Sequence, residues 1–76
     1  MPLTLAQLLP GQAGCVSDVQ GEKSIRHRLL EMGLTRGTAV QLVRVAPLGD
    51  PIEVELRGYR LSVRKSEASR VTLEGE

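Results

Sequence analysis

The segment Ile52-Glu53-Val54-Glu55-Leu56-Arg57-Gly58-Tyr59-Arg60-Leu61-Ser62-Val63 constrains this chain more than any other, because apolar and polar residues alternate on both sides of Arg57-Gly58. A period of two is that of a strand with one face buried. With Arg57-Gly58 as a two-residue turn, the register sets Leu56 opposite Tyr59, Val54 opposite Leu61 and Ile52 opposite Val63. One face of the hairpin is then wholly apolar, and Glu55 faces Arg60 on the other. Turn chemistry at Gly58 and side-chain pattern point to the same structure.

Other β-rich stretches surround this hairpin. Ala13 to Val19 leads to a turn at Gln20-Gly21, with an imperfect alternation that suits a bulged strand. Val40 to Val45 and Val71-Thr72-Leu73 read as two further strands. Thr4 and Gln7 stand at capping-box spacing before Leu5 to Leu9, and Pro10-Gly11 stops what reads as a helical turn plugging one end. The clearest helix runs from Ser24, available as its N-cap, to Met32, with Ile25, Leu29 and Leu30 on one face. Gly33 should end it in a left-handed conformation that folds Leu34 back onto Leu29. Lys65 to Arg70 reads as one more helical turn. The expected fold is therefore mainly β: a small, partly open five-stranded barrel of the SH3-like type, with a short helix inserted after the first strand.

At 76 residues the chain accommodates one domain, residues 1–76, with a modest core. Ten basic residues against nine acidic give a net charge of +1, so no overall field draws it to nucleic acid or anionic lipid. Tyr59 is the only aromatic residue, which argues against base-stacking platforms and proline-rich peptide grooves. A single cysteine and the lack of a signal-peptide pattern lead us to expect the cytoplasm. No apolar run approaches the roughly 20 residues that a membrane-spanning helix requires, so direct insertion is not expected.

Two surfaces are candidates for partner binding. In the loop Ala46-Pro47-Leu48-Gly49-Asp50-Pro51 each proline restricts itself and the residue before it, which makes the tip stiff. Leu48 either points outward as an anchor or folds onto the barrel as part of an ordinary turn. Arg26, His27 and Arg28, with Lys23, form a basic patch near a helix N-terminus, where the dipole disfavours positive charge. The patch suits an acidic surface or a nucleotide phosphate, and equally a solvated helix face. Arg26, Arg28, Arg44 and Arg60 are candidates for an arginine lent to a nucleotide-hydrolysing partner.

Cys15 and His27 lack further ligands at recognised spacing, so no metal site and no cofactor are expected. No nucleophile elbow, phosphate-binding loop or paired-metal motif accompanies Ser17 and Asp18, which argues against an enzyme.

Two stretches, Arg28-Leu29-Leu30-Glu31-Met32-Gly33-Leu34 and Arg44 through Val54 with its Ala-Pro-Leu-Gly-Asp-Pro tip, resemble the FeoA family. Gly37-Thr38, Arg64-Lys65 and Glu67-Ala68 fit the same pattern, so the resemblance covers nearly the whole chain. It implies an SH3-like barrel, in which Leu29, Met32, Gly33, Leu34 and Gly58 are the expected structural residues. It also implies an accessory or regulatory role in bacterial ferrous-iron uptake. The implied partner is FeoB, a membrane transporter with a cytosolic guanine-nucleotide-binding domain; Pro47, Leu48, Gly49, Asp50 and Pro51, with Arg26 and Arg28, are the residues expected from the loop and the basic patch to meet it. The same domain type occurs at the C-terminus of iron-dependent repressors, so the resemblance fixes fold better than role. A metal-responsive regulatory module and a small barrel binding nucleic acid remain as alternatives, and the oligomeric state is left open.

Overall fold

The computed structural model describes residues 3–74. The hairpin forms in the expected register: β4 (Ile52–Leu56) pairs antiparallel with β5 (Tyr59–Val63), with Ile52 opposite Val63, Val54 opposite Leu61 and Leu56 opposite Tyr59. Arg57 (φ 51°) and Gly58 (φ 85°) both occupy the left-handed region, the signature of the turn whose twist matches that of the strands. Arg57 is strained there, since it carries a side chain. Its guanidinium donates to the hydroxyls of Thr35 (3.3 Å) and Thr38 (3.1 Å), which offsets the strain. Ile52, Val54, Leu56 and Val63 are buried and Leu61 is half-buried, whereas Tyr59 at the end of the same face remains 44% exposed. On the outer face Glu55 and Arg60 approach to 3.9 Å.

To the hairpin the sheet adds β1 (Leu3–Thr4), β2 (Ala13–Val19), β3 (Ala39–Val45) and β6 (Val71–Leu73). Among the described residues it has six strands, in the order β1-β6-β2-β3-β4-β5. The expected count of five lacked β1, whose two residues are too few to show a period and pair with Leu73 and Thr72. β2 carries its bulge between Val16 and Asp18, where the pairing with β6 shifts register. A 3-10 turn at Leu5–Gln7 follows β1, its start fixed by Gln7 Oε1 accepting from the Thr4 N–H at 2.7 Å. It sends Leu5 fully into the core.

The helix α1 spans Lys23–Glu31, and Glu22 rather than Ser24 is its N-cap. Gly21, at φ 113°, turns the chain early, and the Glu22 carbonyl accepts the first helical bond from the Arg26 N–H at 2.8 Å. Leu29 is fully buried and Ile25 half-buried, but Leu30, one residue and about 100° further around the helix, is 39% exposed. The buried stripe is thus narrower than expected. At the C-terminal end the Gly33 N–H donates to the Leu30 carbonyl (3.0 Å) and the Leu34 N–H to the Leu29 carbonyl (3.2 Å). With Gly33 at φ 104° and both Leu29 and Leu34 fully buried, this is the expected left-handed helix stop. Gly33 also lies against the hairpin. A Cβ there would overlap Tyr59 Oη and crowd Leu56, and Tyr59 Oη donates to the Met32 carbonyl at 2.7 Å.

A single turn of helix, α2 (Lys65–Ala68), buries Ala68 and precedes β6. The core joins Leu5, Leu8, Val16, Leu29, Leu34, Leu42, Val54, Leu56, Val63, Val71 and Leu73 with their neighbours into one cluster. Thr38 is the one buried polar residue among those described, and its hydroxyl is bonded to Thr35 and Arg57. No helix among the described residues is long and apolar enough to cross a membrane.

Two stability changes follow. Val54→Ala should lower the unfolding free energy by about 1–3 kcal/mol in urea titrations, because the position is fully buried at the centre of the hairpin face. Gly33→Val should be destabilising by about 1–3 kcal/mol from backbone strain, with steric overlap against Tyr59 adding to it; an unchanged thermal midpoint would contradict the helix stop.

Candidate functional site

The loop between β3 and β4 is built from its own backbone bonds. The Gly49 N–H donates to the Ala46 carbonyl at 2.7 Å, and the Ala46 N–H to the Pro51 carbonyl at 3.1 Å. Pro47 takes the second position of this turn, where its fixed φ belongs, and Gly49 follows at φ 92°. Leu48 is left pointing at solvent and is 96% exposed, the largest exposure of any big apolar residue among those described. Of the two packings open to Leu48, the structure takes the outward one.

The base of the loop is fastened to the other end of the hairpin. Asp50 Oδ1 accepts from the Lys65 N–H at 3.0 Å, which ties the loop to the start of α2. Glu67, two residues on, accepts from the Arg64 N–H through Oε1 (3.3 Å) and pairs through Oε2 with Arg28 of α1 (3.1 Å). Loop, α2 and α1 thereby enclose a shallow cleft of about 550 Å³ lined by Arg28, Asp50, Pro51, Ser62, Arg64 and Glu67. Two of the expected partner-binding elements, the proline loop and Arg28, therefore meet at one place.

Arg26 does not reach that cleft. It lines a smaller hollow of about 240 Å³ with Lys23, His27 and the half-exposed Leu30. Of the arginines considered for donation to a partner, Arg28, Arg44 and Arg60 each pair with a carboxylate (Glu67, Glu53 and Glu55), and Arg26 makes no ion pair among the described residues. His27 Nε2 lies 3.5 Å from Glu31. Cys15 is half-buried in β2, and no group of three or more His, Cys, Asp or Glu side chains is placed to hold a metal among the described residues.

In the sequence Asp50 stands out only as part of the loop, and Ser62, Arg64 and Glu67 do not stand out as site residues. Their convergence depends on the hairpin returning Val63 to the side of Ile52, which brings Arg64 and α2 beside the loop base. The spacing of Arg64 and Glu67 just before Ala68 was the available signal, since a carboxylate three residues into a helical turn can reach back to cap it.

Known proteins are similar to this chain in sequence and in fold. Residues 3–75 match the family model described as the FeoA domain. Over 72 residues the chain is 32% identical to the Fe(2+) transport protein A/Fe(2+) transporter FeoB fusion protein of Porphyromonas gingivalis, covering 95% of this chain but only 8% of that protein. An FeoA-like protein from Clostridium acetobutylicum superposes with a TM-score of 0.89 at 37% identity, over 96% of this chain and 85% of the other. The zinc complex of Stenotrophomonas maltophilia FeoA, described as a procaryotic SH3 domain protein, superposes with a TM-score of 0.83 at 33% identity, over 95% and 89% of the two chains. The mainly β, SH3-like barrel expected from the strand pattern is thus the fold of these relatives, and by sequence and by structure this chain belongs to the FeoA family, which is linked to ferrous-iron transport.

Proposed function

We propose that this protein is a cytoplasmic, single-domain accessory of ferrous-iron uptake that works by docking on the cytosolic region of a FeoB-type transporter rather than by catalysis. The observation that carries this reading is Leu48, a large apolar side chain 96% exposed at the tip of a braced loop. A residue held outward on a stiff loop loses little entropy on binding, so its burial converts efficiently into affinity. The P. gingivalis fusion supports the choice of partner, because one chain there carries both transport protein A and the transporter in its name. Fusing two domains raises their effective concentration for each other.

Pro47, Gly49, Asp50 and Pro51 shape and hold the tip, and Arg28 stands behind it in the cleft. Arg26 and its neighbours Lys23 and His27 supply a second, more electrostatic contact.

Leu48→Asp tests the reading. The variant should lose capture of the transporter's cytosolic region and fail to support ferrous-iron-dependent growth, with its melting temperature nearly unaltered because an exposed tip contributes little to folding. Full retention of binding by a folded variant would reduce the loop to a turn, and the basic face of Arg26 and Arg28 would then be examined by charge reversal and salt titration.

A further inference from the structure

β5 closes one side of the sheet and has no strand beyond it among the described residues. In a two-residue hairpin the residues flanking the turn bond to each other, so Tyr59, Leu61 and Val63 direct their N–H and C=O groups to β4. Arg60 and Ser62 therefore direct theirs away from it. Both residues are exposed, and neither makes a backbone bond to another element among the described residues. Proteins usually blunt such an edge with charged side chains, a proline, a bulge or a very short strand. β5 runs for five residues in regular register with no proline or bulge, and Arg60 is the charged residue it carries.

The side chains along this edge sort by face. Arg60 and Ser62 lie on the outer face and lead to Arg64, whereas Tyr59 and Leu61 lie on the core face, still 44% exposed and half-buried respectively. At the far end stands the cleft with Arg28 and Arg64. Its acidic groups are already engaged: Asp50 with the Lys65 N–H, and Glu67 with both the Arg64 N–H and Arg28. The guanidinium of Arg64 has no carboxylate within ion-pair reach among the described residues, and Arg28 spends only part of its donor set on Glu67. Arg60 stands 3.9 Å from Glu55 in a long, solvated pair, so Arg60, Arg64 and Arg28 all keep donors for an incoming carboxylate.

We infer that the β5 edge accepts an extended acidic segment of the partner as an added strand. Arg60 and Arg64 meet its carboxylates on one face, with Arg28 at the cleft end, and Tyr59 and Leu61 meet its alternate apolar residues on the other. The inference deepens the docking reading above by naming the partner's chemistry: a stretch in which acidic and apolar side chains alternate, bound through its backbone. Ladder bonds supply affinity, and the arginines supply sign and register.

The probes are two synthetic hexapeptides, acetyl-Glu-Val-Glu-Val-Glu-Val-amide and its lysine counterpart, titrated to millimolar concentration into the 15N-labelled protein. The acidic peptide should shift the Arg60 and Ser62 amides and slow their hydrogen exchange by about tenfold or more, the lysine peptide should not, and added salt should weaken the effect. Ser62→Pro removes an outward-facing N–H without touching the β4–β5 ladder and should abolish the response. Arg60→Glu combined with Arg64→Glu, which leaves the backbone intact, should do the same if the proline variant does not fold. An unmoved Arg60 and Ser62, an equal response to both peptides, or full binding by Ser62→Pro would overturn the inference and show that the edge arginines only deter self-association. A protein that needs Leu48 to capture the transporter but ignores the peptide keeps the docking reading and loses this one. A peptide response without capture of the transporter does the reverse.

Discussion

A slip of one residue between β4 and β5 would turn the apolar set of one strand to water, either Ile52, Val54 and Leu56 or Leu61 and Val63, and break the apolar face that the two strands share. What prevents the slip is a turn of only two residues, both at positive φ, which leaves the strands a single way to meet. The same turn aims the Arg57 guanidinium at Thr35 and Thr38, so the segment after α1 is held from the hairpin. It also places Leu56 and Tyr59 against Gly33, where only a residue without a side chain fits. Helix end, buried threonine and barrel wall are thus fixed by one register.

The candidate surface inherits that rigidity. The hairpin returns the chain to the base of the proline loop, Asp50 ties the loop to α2, and Glu67 ties α2 to Arg28 on α1. Each link alone is weak, because Arg28 is mostly solvated and exposed ion pairs are screened. Linked in series around a 12% exposed Glu67 side chain, they hold three elements in one arrangement. A surface already so arranged has less freedom to lose on docking.

The hairpin, the left-handed stop at Gly33 and the bulge in β2 were legible in the sequence because each rests on neighbours along the chain: alternation, a glycine after the last helical turn, a broken period. The short β1 strand and the true start of α1 were not. A two-residue strand has no period, and Ser24 competed with a chain reversal at Gly21 that no cap rule weighs. The loop residues Pro47 to Pro51 were found as a motif, whereas the cleft was missed, since Arg28, Ser62, Arg64 and Glu67 meet only through tertiary closure. The exposure of Leu48 also lay beyond sequence, because the same turn chemistry serves an inward and an outward leucine.

Tyr59 is the only residue among Phe, Tyr and Trp in the chain. Its hydroxyl is bonded to the Met32 carbonyl, at the joint between the end of α1 and the start of the free edge strand. Near-ultraviolet absorbance and intrinsic fluorescence of this protein therefore originate at one spot, with no background to subtract. The molecule carries its own optical reporter of whether the helix is seated against the hairpin.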